Sequence, residues 1–243
     1  MDLSRSARRL VAMLTPGLAA RRRVAHERRF YGQFVQSGAL CFDVGACHGR
    51  VSSRLLELGA NVVAIEANPT TAAALAARFA GDPALVVEAV ALGREAGRAT
   101  LHLADEATVS TLSDRFVATF TTATLRYARS VEVEVSTLDA LIQRHGVPAY
   151  IKIDVEGCEP DVLAGLSTAA AAVSFEANAP LLDVAVAAVE QLASLGAYVF
   201  TFSPYEELAP ACPYLPAAAF VAQLPTLCGP RAALTGDIYA KVM

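Results

Sequence analysis

Leu40-Cys41-Phe42-Asp43-Val44-Gly45-Ala46-Cys47-His48-Gly49 is the stretch that decides the fold. A run of β character ends at two glycines four positions apart, and Val51 to Leu58 then reads as a helix. Gly45 can adopt backbone angles closed to other residues, and Gly49 lets a helix start lie close to a ligand. Tight turns also use glycine for purely structural reasons, so the turn alone is a weak signal.

Glu66 strengthens it. The residue ends the next β-like run, Val62 to Glu66, where a carboxylate can accept hydrogen bonds from both hydroxyls of a ribose. Turn and acid together favour an adenosyl nucleoside. Asp43 then separates the nucleotide classes, because an acid at the end of the first strand repels a pyrophosphate but suits an ammonium and a sulfonium. That charge pattern belongs to the methionine end of S-adenosylmethionine. It counts against the rival reading, a nucleotide-dependent oxidoreductase. A third reading is a non-catalytic adenosyl-binding module.

Outward from this stretch, β-like and helix-like runs alternate, the pattern of a mostly parallel sheet flanked by helices. Further strands are expected at Leu85 to Val90, Tyr150 to Asp154, Val173 to Glu176 and Tyr198 to Phe202, with strand character returning from Leu234 to Val242. Helices are expected at Thr70 to Phe79, Leu138 to His145, Pro160 to Leu166 and Leu181 to Leu195. Between the third and fourth core strands, Ala99 to Leu103 and Val131 to Val135 read as an inserted edge hairpin. The polar loop Asp105 to Asp114 lies within it, which makes Ser110 a candidate acceptor contact. The proline-rich tail from Ser203 to Pro230 shows little periodicity.

The net charge of −4 conceals an asymmetry: Met1 to Arg29 carries eight arginines against Asp2 and Glu27. Residues 1–38 therefore read as a basic N-terminal helical arm and residues 39–243 as the catalytic domain. Leu3, Ala7, Leu10, Val11, Leu14 and Leu18 recur at helical spacing, with Pro16-Gly17 interrupting before Arg21-Arg22-Arg23. Such an arm packs on the domain with its arginines in water, meets an anionic membrane surface or substrate, or is an arginine-rich targeting segment. The acidic body, without a basic stripe interleaved with aromatics, argues against a nucleic-acid partner. No run approaches the roughly 18 apolar residues of a membrane span, so a soluble protein is expected. Five cysteines without C-x-x-C spacing exclude a disulfide framework and a zinc ribbon, and fit a reducing, cytoplasmic compartment.

Ligands of open α/β sheets sit beyond the carboxyl ends of the strands, and the fourth core strand ends in Lys152-Ile153-Asp154-Val155-Glu156-Gly157. If the strand persists, Lys152, Asp154 and Glu156 share one face. Asp154 is then the first candidate for general base and Glu156 the second. Lys152 would stabilise the ionised Asp154 and favour an orienting role for it. Glu176, ending the next strand, should line the same cleft. Asp154 with Glu156, Glu159 or Glu176 offers oxygen ligands to a hard divalent cation, but no spacing indicates one.

Phe42-Asp43-Val44-Gly45-Ala46, Glu66-Ala67-Asn68-Pro69, Ala91-Leu92-Gly93, Thr137-Leu138-Asp139 and Ile151-Lys152-Ile153-Asp154-Val155-Glu156-Gly157 resemble, in order and spacing, the FkbM family of S-adenosylmethionine-dependent methyltransferases. The resemblance implies a Rossmann-like class I methyltransferase fold and a cofactor site at Asp43, Gly45, Cys47, Gly49, Glu66 and Ala67. It also implies O-methylation of a hydroxyl on a small-molecule or glycan acceptor: a sugar, glycolipid or natural product. Two positions depart from the family pattern. Cys47 stands where the family usually has Asn, and Ala67 follows Glu66 in place of Pro.

Overall fold

The computed structural model describes residues 16–105, 109–204, 207–228 and 235–243. The apolar repeat from Leu3 to Leu14, residues 106–108 of the polar loop, and residues 205–206, 229–230 and 234 of the tail lie outside them.

Eight strands form the main sheet: β1 (Leu40–Val44), β2 (Asn61–Ile65), β3 (Leu85–Glu88), β7 (Tyr150–Ile153), β8 (Ala172–Asn178), β9 (Tyr198–Pro204), β10 (Leu215–Pro216) and β11 (Thr235–Val242). Their order is β10-β9-β11-β8-β7-β1-β2-β3. The five strands from β8 to β3 are mutually parallel, and β11 enters antiparallel between β8 and β9. Side chains of the central strands alternate between two cores, as period-2 geometry requires. Phe42, Val44, Ile151 and Ile153 face one, while Cys41 and Tyr150 face the other.

The first core is closed by α5 (Leu138–His145), α6 (Glu159–Ala164), α7 (Leu182–Leu195) and α8 (Ala217–Leu227). The second is closed by α1 (Pro16–Tyr31), α2 (Arg50–Glu57) and α3 (Pro69–Arg78). Two of these helix starts carry side-chain caps. Asn68 accepts from the Thr70 and Thr71 N–H groups, with Pro69 in the first turn, and Thr137 accepts from Ala140.

The inserted hairpin is β5 (Gly97–Leu103) against β6 (Arg129–Ser136), joined by the short β4 (Ala91–Leu92) in a sheet of its own. Between β5 and β6 lies α4 (Asp114–Phe120), capped by Ser113. Sequence periodicity did not disclose α4. Nor did it disclose α8, whose prolines obscure an otherwise apolar helix.

Pro16 and Gly17 form the first turn of α1 as described, and the run that they were expected to interrupt lies before the described residues. Phe30 and Tyr31 are buried in the second core, and Phe34 just beyond stacks between Tyr150 and Tyr239 at ring-centroid distances of 5.4 and 5.7 Å. The buried Glu27 carboxylate receives Arg54 at 2.6 Å, Arg50 at 3.0 Å and Arg23 at 3.1 Å. No helix among the described residues is long and apolar enough to cross a membrane.

Burial opposes ionisation of Glu27, but the arginines outweigh it and hold the carboxyl below its ordinary 4.5. The resulting stabilisation is present above that value and is lost as pH falls through the lowered one. Glu27→Gln should therefore destabilise the protein at neutral pH by on the order of 1–2 kcal/mol, a figure limited by the solvent exposure of two of the arginines. In urea titrations the gap to the native protein should narrow below pH 4.5. A gap independent of pH would show that packing, not charge, is what the variant loses.

Candidate functional site

Two adjoining cavities open at the carboxyl ends of the parallel strands. The first is lined by Gly45, Cys47, Glu66, Ala67, Asp154 and Glu156, with apolar walls from Ile65, Val90, Leu92 and Leu101. The second lies between Val109, Phe116, Phe120 and Leu125 on one side and Glu156, Glu176, Asn178 and Thr235 on the other.

Gly45 has φ +77°, and a Cβ there would lie 1.8 Å from the Asp154 carbonyl oxygen, so any side chain would push the end of β7 away. Gly49, at φ +74°, serves a different purpose: its Cβ would strike Phe79 and Leu75, so this glycine seats α2 against α3 and does not line the cavity. Asp43 departs from expectation in the same way. It is buried, its Oδ2 accepts from the Ser52 amide at 2.8 Å and hydroxyl at 2.5 Å, and it lies outside the cavity lining. Its contribution is to fix the first turn of α2 from beneath.

Glu66 is buried rather than solvated. Oε2 accepts from the Cys47 amide and Oε1 from the Asn68 amide, both at 2.8 Å. One carboxylate thus holds Cys47 in its left-handed conformation, φ +49°, and joins the turn after β1 to the turn after β2. Burial pushes the Glu66 carboxyl upward, opposed by these two amides.

The strand expected to carry Lys152, Asp154 and Glu156 on one face stops at Ile153. Glu156 instead reaches the site through a left-handed backbone, φ +57°. Two interactions hold that conformation. Thr111 Oγ1 donates to the Glu156 carbonyl at 2.7 Å, while Glu159 Oε1 accepts from the Val155 and Gly157 amides at 3.3 and 3.1 Å.

Lys152 is buried and lines neither cavity. Its ammonium lies 3.3 Å from Asp154 and 3.0 Å from Asp237. Burial alone would favour the neutral amine, but the two carboxylates outweigh it and keep the group charged. Ser110, expected as an acceptor contact, lines the first cavity, and its buried hydroxyl has no hydrogen-bond partner among the described residues. Glu176 stands in the second cavity, oriented by Asn178 at 2.8 Å, which is itself held by Thr235 at 2.9 Å.

Asp154, Glu156 and Glu176 each place an oxygen within 4.8 Å of the others. The spacing would admit a hard cation, but by itself it assigns none. Burial, with Asp154 and Glu159 nearby, pushes Glu156 up to about 8. Burial and the charges of Asp154 and Glu156 push Glu176 well above the usual carboxylate range. Burial raises Glu159 to about 7. Asp237, Asn178, Thr235, Thr111 and Glu159 complete the arrangement. Thr111 lies in the polar loop and Glu159 among the carboxylates singled out in the sequence, whereas Asn178, Thr235 and Asp237 carry no local signal.

The model of the FkbM methyltransferase domain matches residues 43–196. The chain belongs to the FkbM methyltransferase family. It is accordingly an S-adenosylmethionine-dependent methyltransferase, which sets aside the oxidoreductase reading. Among solved structures, the methyltransferase is similar to precorrin-6Y C5,15-methyltransferase from Geobacter metallireducens, with 13% identity over 88% of this chain and 87% of that one, TM-score 0.46. A TehB-like SAM-dependent methyltransferase from Corynebacterium glutamicum gives 14% identity over 98% and 100%, TM-score 0.44. An rRNA methylase from Streptococcus thermophilus gives 11% over 89% and 93%, TM-score 0.45. No curated protein matches the sequence.

The first cavity suits this methyl donor in its chemistry. Glu66 offers a carboxylate to ribose hydroxyls, Ser110 a buried hydroxyl awaiting a partner, and Ile65, Val90 and Leu92 an apolar wall for a purine. Because Glu66 also satisfies two amides, Glu66→Ala should weaken S-adenosylmethionine binding and lower stability by about 1–3 kcal/mol. Calorimetric titration and urea denaturation measure the two separately. Native affinity in the folded variant would remove Glu66 from the cofactor site.

Raised carboxyls carry a second consequence. Between the ordinary 4.5 and about 8, the folded state holds protons that the unfolded chain has released. Stability should fall as pH rises through that window, and Glu156→Gln should flatten the slope. An unchanged slope would mean that the cluster does not share protons.

Proposed function

We propose that this methyltransferase O-methylates a hydroxyl on a ring-shaped acceptor, a sugar, glycolipid or natural product, bound in the second cavity. The observation that carries this reading is that Glu156 alone, among the described lining residues, belongs to both cavities. Methyl transfer must occur where donor and acceptor meet, and that junction carries a carboxylate.

Bound S-adenosylmethionine supplies an electrophilic methyl group on a sulfonium. The chain's own residues do the rest. Positioning acceptor and donor in line is worth up to ~7–11 kcal/mol of barrier, more than proton removal contributes. The Phe116 and Phe120 rings, 4.3 Å apart, offer the flat apolar side of an acceptor ring a surface, while Glu176 and Asn178 face its hydroxyls. Glu156 takes the hydroxyl proton as the new C–O bond forms and the methyl–sulfur bond breaks, its electron pair staying on the sulfur of the departing thioether. Its pKa near 8 lies close to working pH, where a general base is most effective.

Asp154 is assigned differently from the sequence expectation. It is paired with Lys152 and lines only the first cavity, so its carboxylate serves the ammonium of the methionine end. Lys152 is a positioning residue for Asp154 and Asp237.

Glu156→Gln should lower kcat by ~10²–10⁴-fold and leave S-adenosylmethionine affinity within a few-fold of native. In the native enzyme, activity should rise with pH as the Glu156–Glu176 pair loses its shared proton, through about 8 in kcat/KM. In kcat the midpoint should be lower, because a bound cation favours the carboxylate. Asp154→Asn should act mainly on cofactor affinity. The opposite split, with turnover lost in Asp154→Asn and retained in Glu156→Gln, would return the base to Asp154.

A further inference from the structure

The arginines of α1 form a surface with no function in the cofactor or acceptor cavities. At 100° per residue, Glu27, Phe30 and Tyr31 point inward, and the opposite face carries Arg21, Arg22, Arg28 and Arg29, all exposed. Arg28 approaches Glu57 at 4.0 Å. Arg21, Arg22 and Arg29 have no carboxylate partner among the described residues. The face is also fixed in direction, because the buried Glu27 and the stacked Phe34 hold this end of the chain to the domain. An arginine helix that needed only solubility would not require that anchorage.

The helix also touches the acceptor side. His26 Nε2 lies 2.7 Å from the Glu207 carbonyl oxygen. Glu207 lines the second cavity, and the next residue, Leu208, is buried against Phe30 and Tyr31 in the second core. A single short segment therefore separates the arginine face from the acceptor cavity.

We propose that the outer face of α1 docks on an anionic phospholipid surface and so holds the acceptor cavity beside the bilayer interface. Several arginines on one rigid face match a dense layer of negative headgroups, and the acidic remainder of the domain is repelled to the far side. The interaction is electrostatic, so it weakens with salt.

The test is co-flotation of the full chain with phosphatidylcholine vesicles with and without phosphatidylserine. Binding is expected only with phosphatidylserine, falling as salt rises. The triple variant Arg21→Ser, Arg22→Ser, Arg29→Ser should lose on the order of a hundredfold in vesicle affinity, about fivefold per arginine. The corresponding triple lysine variant should stay within a few-fold of native. Both should bind S-adenosylmethionine as the native protein does, which separates this result from any failure of the catalytic reading. Hydrogen exchange should show vesicle-dependent protection in α1 and at Glu207–Leu208. Equal binding to neutral vesicles, native-like binding by the serine variant, or displacement of the protein from vesicles by RNA at matched phosphate concentration would each overturn the proposal.

Discussion

The buried ammonium of Lys152 is the constraint on which the rest of the site depends. Moving such a charge out of water costs several kcal/mol unless it is paired well. Two carboxylates pair it, and they come from opposite parts of the sheet. Asp154 follows β7 in the parallel half, and Asp237 stands on β11, the antiparallel strand one position beyond β8. The ion triad therefore works only if β11 is inserted where it is and β7 ends where it does. The hydroxyl of Tyr239 adds a bond to Asp237 at 3.3 Å, and Phe30 and Phe34 pack on that tyrosine. Sheet closure, the docking of α1 and the placement of Asp154 are thus one connected arrangement.

That arrangement places more carboxyl groups in front of the lysine than burial allows to ionise together. Asp154, Glu156 and Glu176 crowd together, with Glu159 behind them, and the backbone of Glu156 is held in a region that costs a non-glycine residue ~1–3 kcal/mol. Thr111 and Glu159 over-determine the conformation from both sides of the turn. Strain and repulsion of this kind lower stability, so their location matters. They fall at the junction of the two cavities, where a cationic donor would favour the ionised carboxylates and so free Glu156 to accept a hydroxyl proton.

How much of this was legible in the sequence depends on how local the information was. β1, α2, β2 and β7 could be placed almost to the residue because they are parallel core strands and a helix between glycine stops, whose patterns lie within ten residues. The packing of Asp43 and Gly49 was not legible, since the sequence does not show which neighbours an acid or a glycine at this turn will meet. Ser52 takes Asp43, and Phe79 claims the space at Gly49. The shared face predicted for Lys152, Asp154 and Glu156 assumed that the strand continued, whereas Glu159 folds back on the next turn and ends it. Asp237 was out of reach because its partner is 85 residues away and the insertion of an antiparallel strand leaves no local pattern.

The two cavities also differ in where their residues come from. Gly45, Cys47, Glu66 and Ala67 lie within two consecutive strand-turn-helix units, so the first cavity is built by local segments whose geometry the fold itself enforces. The second cavity, proposed above for the acceptor, is assembled from the insertion, through Val109, Phe116, Phe120 and Leu125, and from the last third of the chain, through Glu176, Asn178, Pro204, Glu207 and Thr235. Few backbone constraints of the sheet pass through those side chains. Acceptor contacts can therefore change by substitution in α4 or at the ends of β8 and β11 without disturbing Glu66 or the turn after β1. Glu156 is exempt from that freedom, because its carbonyl anchors the insertion through Thr111 while the residue lines both cavities.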